Sequence, residues 1–144
     1  MSGFDLERFV AAQGAGGTYE RALAELRRGR KQSHWMWFVF PQLVGLGQSA
    51  MSRRYAISSL EEARAYLVHR VLGPRLRECT RAVLDAGVPD AEAIFGGVDA
   101  LKLRSSMTLF QEAAPEERLF GEVIDRFYGG VPDPLSEKLL AAEP

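Results

Sequence analysis

Two stretches of the chain concentrate residue types that can hold or transform a ligand. The first opens with Arg27, Arg28, Arg30 and Lys31, four cations within five positions. Guanidinium groups grip phosphate oxygens through paired hydrogen bonds, and an ammonium adds a point charge. Arg30 and Lys31 are the candidate phosphate contacts; the plainer reading is that these cations complement a helix C-terminus and stay solvated. Directly behind them runs His34-Trp35-Met36-Trp37-Phe38-Val39-Phe40-Pro41-Gln42, which holds both tryptophans of the protein. Trp35 or Trp37 would stack a flat ring, although an aromatic of this kind is more often core. Gly45, Leu46, Gly47, Gln48 and Ser49 follow. Glycines with amide and hydroxyl groups after an aromatic block suit a pocket wall that hydrogen-bonds the edge of such a ring. Gln42, Gly45, Gly47 and Ser49 are the ligand-binding candidates there. Their spacing fits neither a phosphate loop with its lysine nor a dinucleotide fingerprint.

The second stretch runs from Asp99 to Phe110. Leu103, Met107 and Phe110 form an apolar stripe at helical spacing, most simply a core face. Lys102 stands three and four residues before Ser105 and Ser106, so the three share a helical side. A lysine beside a serine can activate a nucleophile, but the Ser-x-x-Lys order of known hydrolases is reversed here. The set reads as a cleft lining, with Lys102 the catalytic candidate that stabilises developing charge and Ser105 and Ser106 as ligand contacts. His34 is the second catalytic candidate, as a general base, against a structural role in stacking or buried hydrogen bonding. His69 ends a helix, and Asp85, Asp90 and Asp99 read as caps and loop residues. One cysteine, Cys79, and two histidines exclude an intramolecular disulfide and a thiolate metal cluster. Neither a metal nor a cofactor is expected.

The elements that must position these residues are helices. Phe4, Leu6, Phe9 and Val10 recur at helical spacing, and Gly14, Gly16 and Gly17 break the pattern. Thr18 would cap a helix over 19–28 that stops at Gly29. Ser33 would cap 34–40, although the composition of Trp35 to Val39 fits strand equally well. The stretch 45–56 reads as loop or broken helix. Ser59 with Glu62 has capping-box spacing for a helix over 60–69, and Gly73-Pro74 starts another that runs to Gly87. Asp90 would cap a short turn through Phe95, and Asp99 a helix to about Ala113. Helices over 116–128 and 134–142 complete an all-α, compact single-domain multihelical bundle of seven or eight short helices spanning 1–144.

The chain of 144 residues is 47% hydrophobic and 26% charged, which excludes a disordered chain. A formal net charge of -1 supplies no global basic field, so nucleic acid is not an expected partner. The longest apolar run, Trp35 to Pro41, is far too short for a bilayer, and residues 1–13 do not read as a secretory signal. A cytoplasmic protein with no membrane partner is the expectation.

The run Gly29 to Gln42, with Gly45-Leu46-Gly47 and Ser49, resembles a family of small bacterial proteins of unknown function, some of them labelled calpastatin. Tyr55-Ala56-Ile57, Ala65-Tyr66-Leu67, Ile94-Phe95-Gly96, and Asp99 with Lys102 to Phe110 extend the likeness, which covers roughly 4–133. Arg70 and Ala100 depart from it, standing where that family often has a proline and a second acid. The resemblance implies a mainly helical domain and supplies no reaction. The calpastatin label carries no weight, because such an inhibitor is a disordered repeat chain and this composition is globular. More distantly, the aromatic-rich first third, Leu72-Gly73-Pro74-Arg75 and the late Met107-Thr108-Leu109-Phe110 are similar to the NADAR group, proposed to act on ADP-ribose derivatives.

Together these observations point to binding or hydrolysis of a nucleotide-like small molecule, with an ADP-ribose-type N-glycoside as the first substrate class. The alternative is a non-enzymatic interaction module that meets a protein partner, or a second copy in a homodimer, through a Trp-rich surface. The tryptophan block and the Lys102 to Phe110 helix should then pack together. Their polar members should converge at one rim.

Overall fold

Residues 3–143 are described by a computed structural model; Met1, Ser2 and Pro144, which the expected domain includes, lie outside them. Ten α-helices follow one another: α1 (Glu7–Gly14), α2 (Thr18–Arg27), α3 (Met36–Val39), α4 (Ala50–Arg54), α5 (Leu60–Val68), α6 (Leu72–Asp85), α7 (Ala91–Phe95), α8 (Gly97–Ala113), α9 (Leu119–Phe127) and α10 (Pro134–Ala141). Seven of them have eight residues or more, and no strand occurs among the described residues. The all-α expectation is borne out.

Helix α8 lies at the centre. It buries Ala100, Leu103, Ser105, Ser106, Met107, Thr108, Leu109, Phe110 and Ala113, so its apolar surface is far wider than one stripe. Helices α5, α7, α9 and α10 pack around it, while α2, α5 and α9 pack on α6. Phe9, Trp35, Phe40, Tyr66, Phe110 and Phe120 are the bulkiest fully buried aromatics of a continuous core. Several meet edge to face, as Phe9 does with Tyr66 and Phe40 with Phe95.

The tryptophan block forms only a four-residue helix, α3, and not the longer segment expected from Ser33 to Phe40. Pro41 ends it, and Gln13 fixes its end: the buried amide donates to the Phe38 carbonyl at 2.7 Å and accepts from Arg75 at 3.3 Å. Ser33 does not cap it, because its hydroxyl is taken by Glu25 at 2.6 Å. Residues 42–57 then make an excursion whose ends are tied together. Ile57 donates to the Gln42 carbonyl and Val44 to the Ile57 carbonyl, both at 2.8 Å, in an isolated parallel bridge. Within the excursion, Ser49 caps the short α4, which the glycines hid from periodicity.

Other starts differ by local chemistry. Thr18 begins α2 rather than capping it, and its hydroxyl donates back to the Ala15 carbonyl. Helix α6 begins at Leu72, which places Pro74 in its first turn, and α9 begins at Leu119 instead of 116. Asp99 lies inside the first turn of α8, where a carboxylate complements the dipole, and Gly96 at φ 80° makes the entry. Ser59 caps α5 as expected; Glu62 reaches the Ser58 amide and pairs with Arg8 at 3.1 Å.

Candidate functional site

The segment between α2 and α3 is held by one buried carboxylate. Glu25 accepts from the Gln32 amide (2.8 Å), the Ser33 amide (3.0 Å), the Ser33 hydroxyl (2.6 Å) and the Trp35 indole (2.8 Å). Burial by itself would raise its pKa, but the hydrogen bonds from Ser33, Gln32 and Trp35 outweigh that and hold it at about 2. Glu25 therefore stays ionised and fixes the backbone that presents Lys31.

Lys31 turns inward. Its Nζ pairs with Asp99 Oδ2 at 2.9 Å, donates to the Ser33 carbonyl at 2.6 Å and stands 5.1 Å from the Trp35 ring centroid. Asp99 meets a second cation on its other oxygen: Lys102 Nζ lies 3.5 Å from Oδ1 and 5.2 Å from the Trp37 ring centroid. The two stretches thus meet through a Lys31–Asp99–Lys102 chain with an indole under each ammonium. Both lysines pair with the one carboxylate, so the three side chains together carry a net positive charge.

Beside Lys102 opens a cleft of about 310 Å³. Gln42, Leu46 and Gly47 form one wall, and Val98, Leu101, Lys102 and Ser105 of α8 form the second. Asp133 and Leu135, where α10 begins, close the third side. Asp133 Oδ2 accepts from Ser136 N and Oγ and from the Ser105 hydroxyl at 3.3 Å, so the wall is braced. Gly47 has to be glycine: a Cβ there would lie 2.4 Å from that of Ser52. Val98, Leu101 and Leu135 expose half or more of their surface at the rim, leaving aliphatic surface around a polar floor.

Three other clefts are larger: one lies at Ser58, Leu60 and Glu143, and each of the other two holds an internal ion pair. Of those two, one lies at Arg27, Glu78 and Arg81, where Arg27 meets Glu78 at 3.5 Å. The other lies at Arg64, Arg77 and Ala113, where Arg77 grips Glu117 through both carboxylate oxygens, at 2.8 and 3.1 Å.

Of the residues expected from sequence, Gln42, Gly47, Lys102 and Ser105 come together at the cleft. The others are corrected individually. Trp35 is fully buried with its indole N–H engaged by Glu25, so its ring is core and cannot stack on a ligand. Ser106 is fully buried beneath the rim. Ser49 is an exposed helix cap, bonded to Ser52. Gly45, Arg30 and His34 are exposed and do not line the cleft, and Lys31 is spent on Asp99, Ser33 and Trp35. Among the described residues the two tryptophans do not form an exposed surface, since Trp35 is buried and Trp37 partly so.

Asp133, Leu46, Val98, Leu101 and Leu135 were invisible as site residues. Asp133 before Pro134 reads as a helix cap, and it is one; nothing in the sequence adds a second role. Cys79 offers no nucleophile, since burial pushes its thiol up to about 12.

An all-helical fold with a polar-floored, aliphatic-rimmed cleft defines the class. The chain belongs to the family described as "Protein of unknown function (DUF1810)", which matches residues 3–140. It is similar to a crystal structure of the conserved hypothetical protein Rv1873 from Mycobacterium tuberculosis, at 53% identity and a TM-score of 0.93 over 97% of this chain and 99% of that one. No curated protein matches the chain. Neither finding carries a link to the NADAR group. No helix among the described residues is long and apolar enough to cross a membrane.

Proposed function

We propose that the cleft beside Lys102 binds a small, phosphate-bearing, nucleotide-like molecule. The observation that supports this most is the meeting of Gln42, Lys102, Ser105 and Asp133 around one concavity, drawn from segments up to about 90 residues apart. An amide, an ammonium, a hydroxyl and a carboxylate offer donors and acceptors for a sugar and a base edge, and Leu46, Leu101 and Leu135 cover flat apolar surface. The volume falls at the small end of ligand pockets, roughly 300–1,000 Å³, which favours one nucleotide unit over an extended dinucleotide. The same cleft holds what hydrolysis of an N-glycosidic bond would use. Asp133 would take a proton from water as the water oxygen bonds the anomeric carbon. The C–N bond would break with its electron pair leaving on the base, and that proton would pass to the departing nitrogen while Lys102 holds negative charge on the substrate.

A thermal-shift panel of nucleoside monophosphates, ADP-ribose and the parent nucleosides tests the reading, with release of free base followed in parallel. Stabilisation by a monophosphate that vanishes in Lys102→Ala is expected. No stabilisation by any compound at millimolar concentration would refute it. The exposed Val98, Leu101 and Leu135 favour a second reading, docking of a protein through an aliphatic rim. That reading predicts self-association or partner binding that Leu101→Lys abolishes, with no effect of nucleotides.

A further inference from the structure

An aspartate that caps a helix needs only one of its oxygens to do so. At the start of α10, Asp133 Oδ2 accepts from the Ser136 amide (2.9 Å), the Ser136 hydroxyl (2.6 Å) and the Ser105 hydroxyl (3.3 Å). Ser136 is fully buried, so water does not take its place. The backbone here is fastened to α8 as well. The Asp133 amide donates to Thr108 Oγ1 at 2.9 Å, and Arg104 donates to the Val131 carbonyl at 3.0 Å. Turning the carboxylate over exchanges two equivalent oxygens and restores the same arrangement, one held and one open. The open oxygen, Oδ1, accepts no hydrogen bond among the described residues. It is not one of the buried atoms without a partner, so it is accessible.

The polar side chains around the cleft beside Lys102 are Gln42, Lys102, Ser105 and Asp133. Lys102 can only donate, and it pairs with Asp99 at 3.5 Å. The Ser105 hydroxyl is taken by the Leu101 carbonyl and by Asp133 Oδ2. The Gln42 carboxamide is uncharged. Among the described residues, Asp133 Oδ1 is therefore the one anionic acceptor of the cleft that no donor serves. The cap does not use it, since asparagine or serine would cap equally well without a charge. Hydrogen bonds to an ionised acceptor are about twice as strong as neutral ones, so a ligand seated here gains most by presenting a donor to Oδ1. The aliphatic rim of Val98, Leu101 and Leu135 suits the flat base, which leaves the polar floor for the sugar, whose donors are hydroxyls.

We infer that Asp133 Oδ1 accepts a hydrogen bond from a ribose hydroxyl, so that the cleft selects ribonucleotides over deoxyribonucleotides. The inference rests on the nucleotide reading above and assigns the specificity within it. A carboxylate oxygen has two lone pairs, so this contact coexists with the water that the hydrolytic reading sets against the same residue.

Isothermal titration calorimetry of the full chain with AMP, 2′-deoxy-AMP, 3′-deoxy-AMP and IMP tests it. At least one deoxy compound should bind about tenfold more weakly than AMP, as expected for a hydrogen bond to a charged group. IMP lacks the amino group, keeps both hydroxyls and should bind like AMP. Asp133→Asn keeps the cap and turns an amide NH₂ toward the cleft. It should melt close to wild type, bind AMP about tenfold more weakly and no longer distinguish AMP from the deoxy compounds. If that variant melts far lower, the wild-type chain labelled with ¹⁵N gives a second readout. Saturating AMP should move the Ser136 amide signal, whose acceptor is the other oxygen of the same carboxylate, and the weaker deoxy compound should move it less. Equal affinity for AMP and both deoxy compounds, a discrimination that survives Asp133→Asn, a loss that follows the amino group in IMP, or a stationary Ser136 amide overturns the hydroxyl contact and leaves the cleft reading standing. No binding by any of the four compounds overturns both.

Discussion

Replacing Glu25 with alanine should unfold much of what presents the site. The side chain is 2% exposed and accepts four hydrogen bonds, from Gln32, Ser33 twice and Trp35. The Gln32 and Ser33 donors are part-buried and can find water in its absence, so their loss is modest. The Trp35 indole is fully buried and cannot, and an orphaned buried donor costs about 1–3 kcal/mol. Adding the lost bonds to a charged acceptor brings the total to roughly 3–5 kcal/mol. The carboxyl pKa falls from the ordinary 4.5 to about 2. A depressed acid stabilises the fold above its unfolded pKa, and that stability is lost as pH falls toward the folded value. The full difference is worth roughly 3 kcal/mol at neutral pH. About 2 kcal/mol of it should disappear between pH 7 and pH 3 in the wild type and not in Glu25→Gln. Urea unfolding of both proteins at the two pH values reads this directly. Equal pH sensitivity in both, or Glu25→Ala within 1 kcal/mol of wild type, would refute the role given to Glu25.

The two tryptophans should separate in a stability measurement: Trp35→Ala, in the core, should lose about 3–5 kcal/mol, and Trp37→Ala, only partly buried, clearly less. Lys102→Met should leave the urea midpoint nearly unchanged, because the lysine's contact with Asp99 is partly exposed, while nucleotide stabilisation in a thermal-shift assay disappears. Gly47→Ala should lower melting temperature and ligand affinity together, since its Cβ would press on Ser52 and displace a cleft wall. Melting curves and a nucleotide titration on the one variant check both halves.

Much of the architecture was legible because helix signals are local. The Ser59 cap with Glu62 three residues on fixed the start of α5, and glycine and proline punctuation separated most of the others. The short helices α3 and α4 were harder, since four or five residues carry no period and tertiary contacts such as Gln13 to Phe38 decide them. The two stretches did meet, through Lys31 and Lys102 on Asp99. Which members reach the cleft was not legible. Trp35 and Trp37 differ in sequence by two positions and in role by the presence of Glu25, a residue that reads as ordinary helix surface. Lys31 looked like a free cation because its partner, Asp99, lies 68 positions away and reads as a cap. Asp133 is both a cap and a cleft wall, and the cap alone accounts for it in sequence.

The central proposal is positional: a small phosphorylated nucleoside would bind in the cleft between the loop after α3, α8 and the start of α10. Backbone amide shift mapping of the full chain with AMP locates it without presupposing a reaction. The account predicts that the largest changes fall on Gln42, Gly47, Leu101, Lys102, Ser105 and Asp133, and saturate together. Changes centred instead on Arg27, Glu78 and Arg81, or on Arg64 and Arg77, or no changes at millimolar AMP, would contradict it.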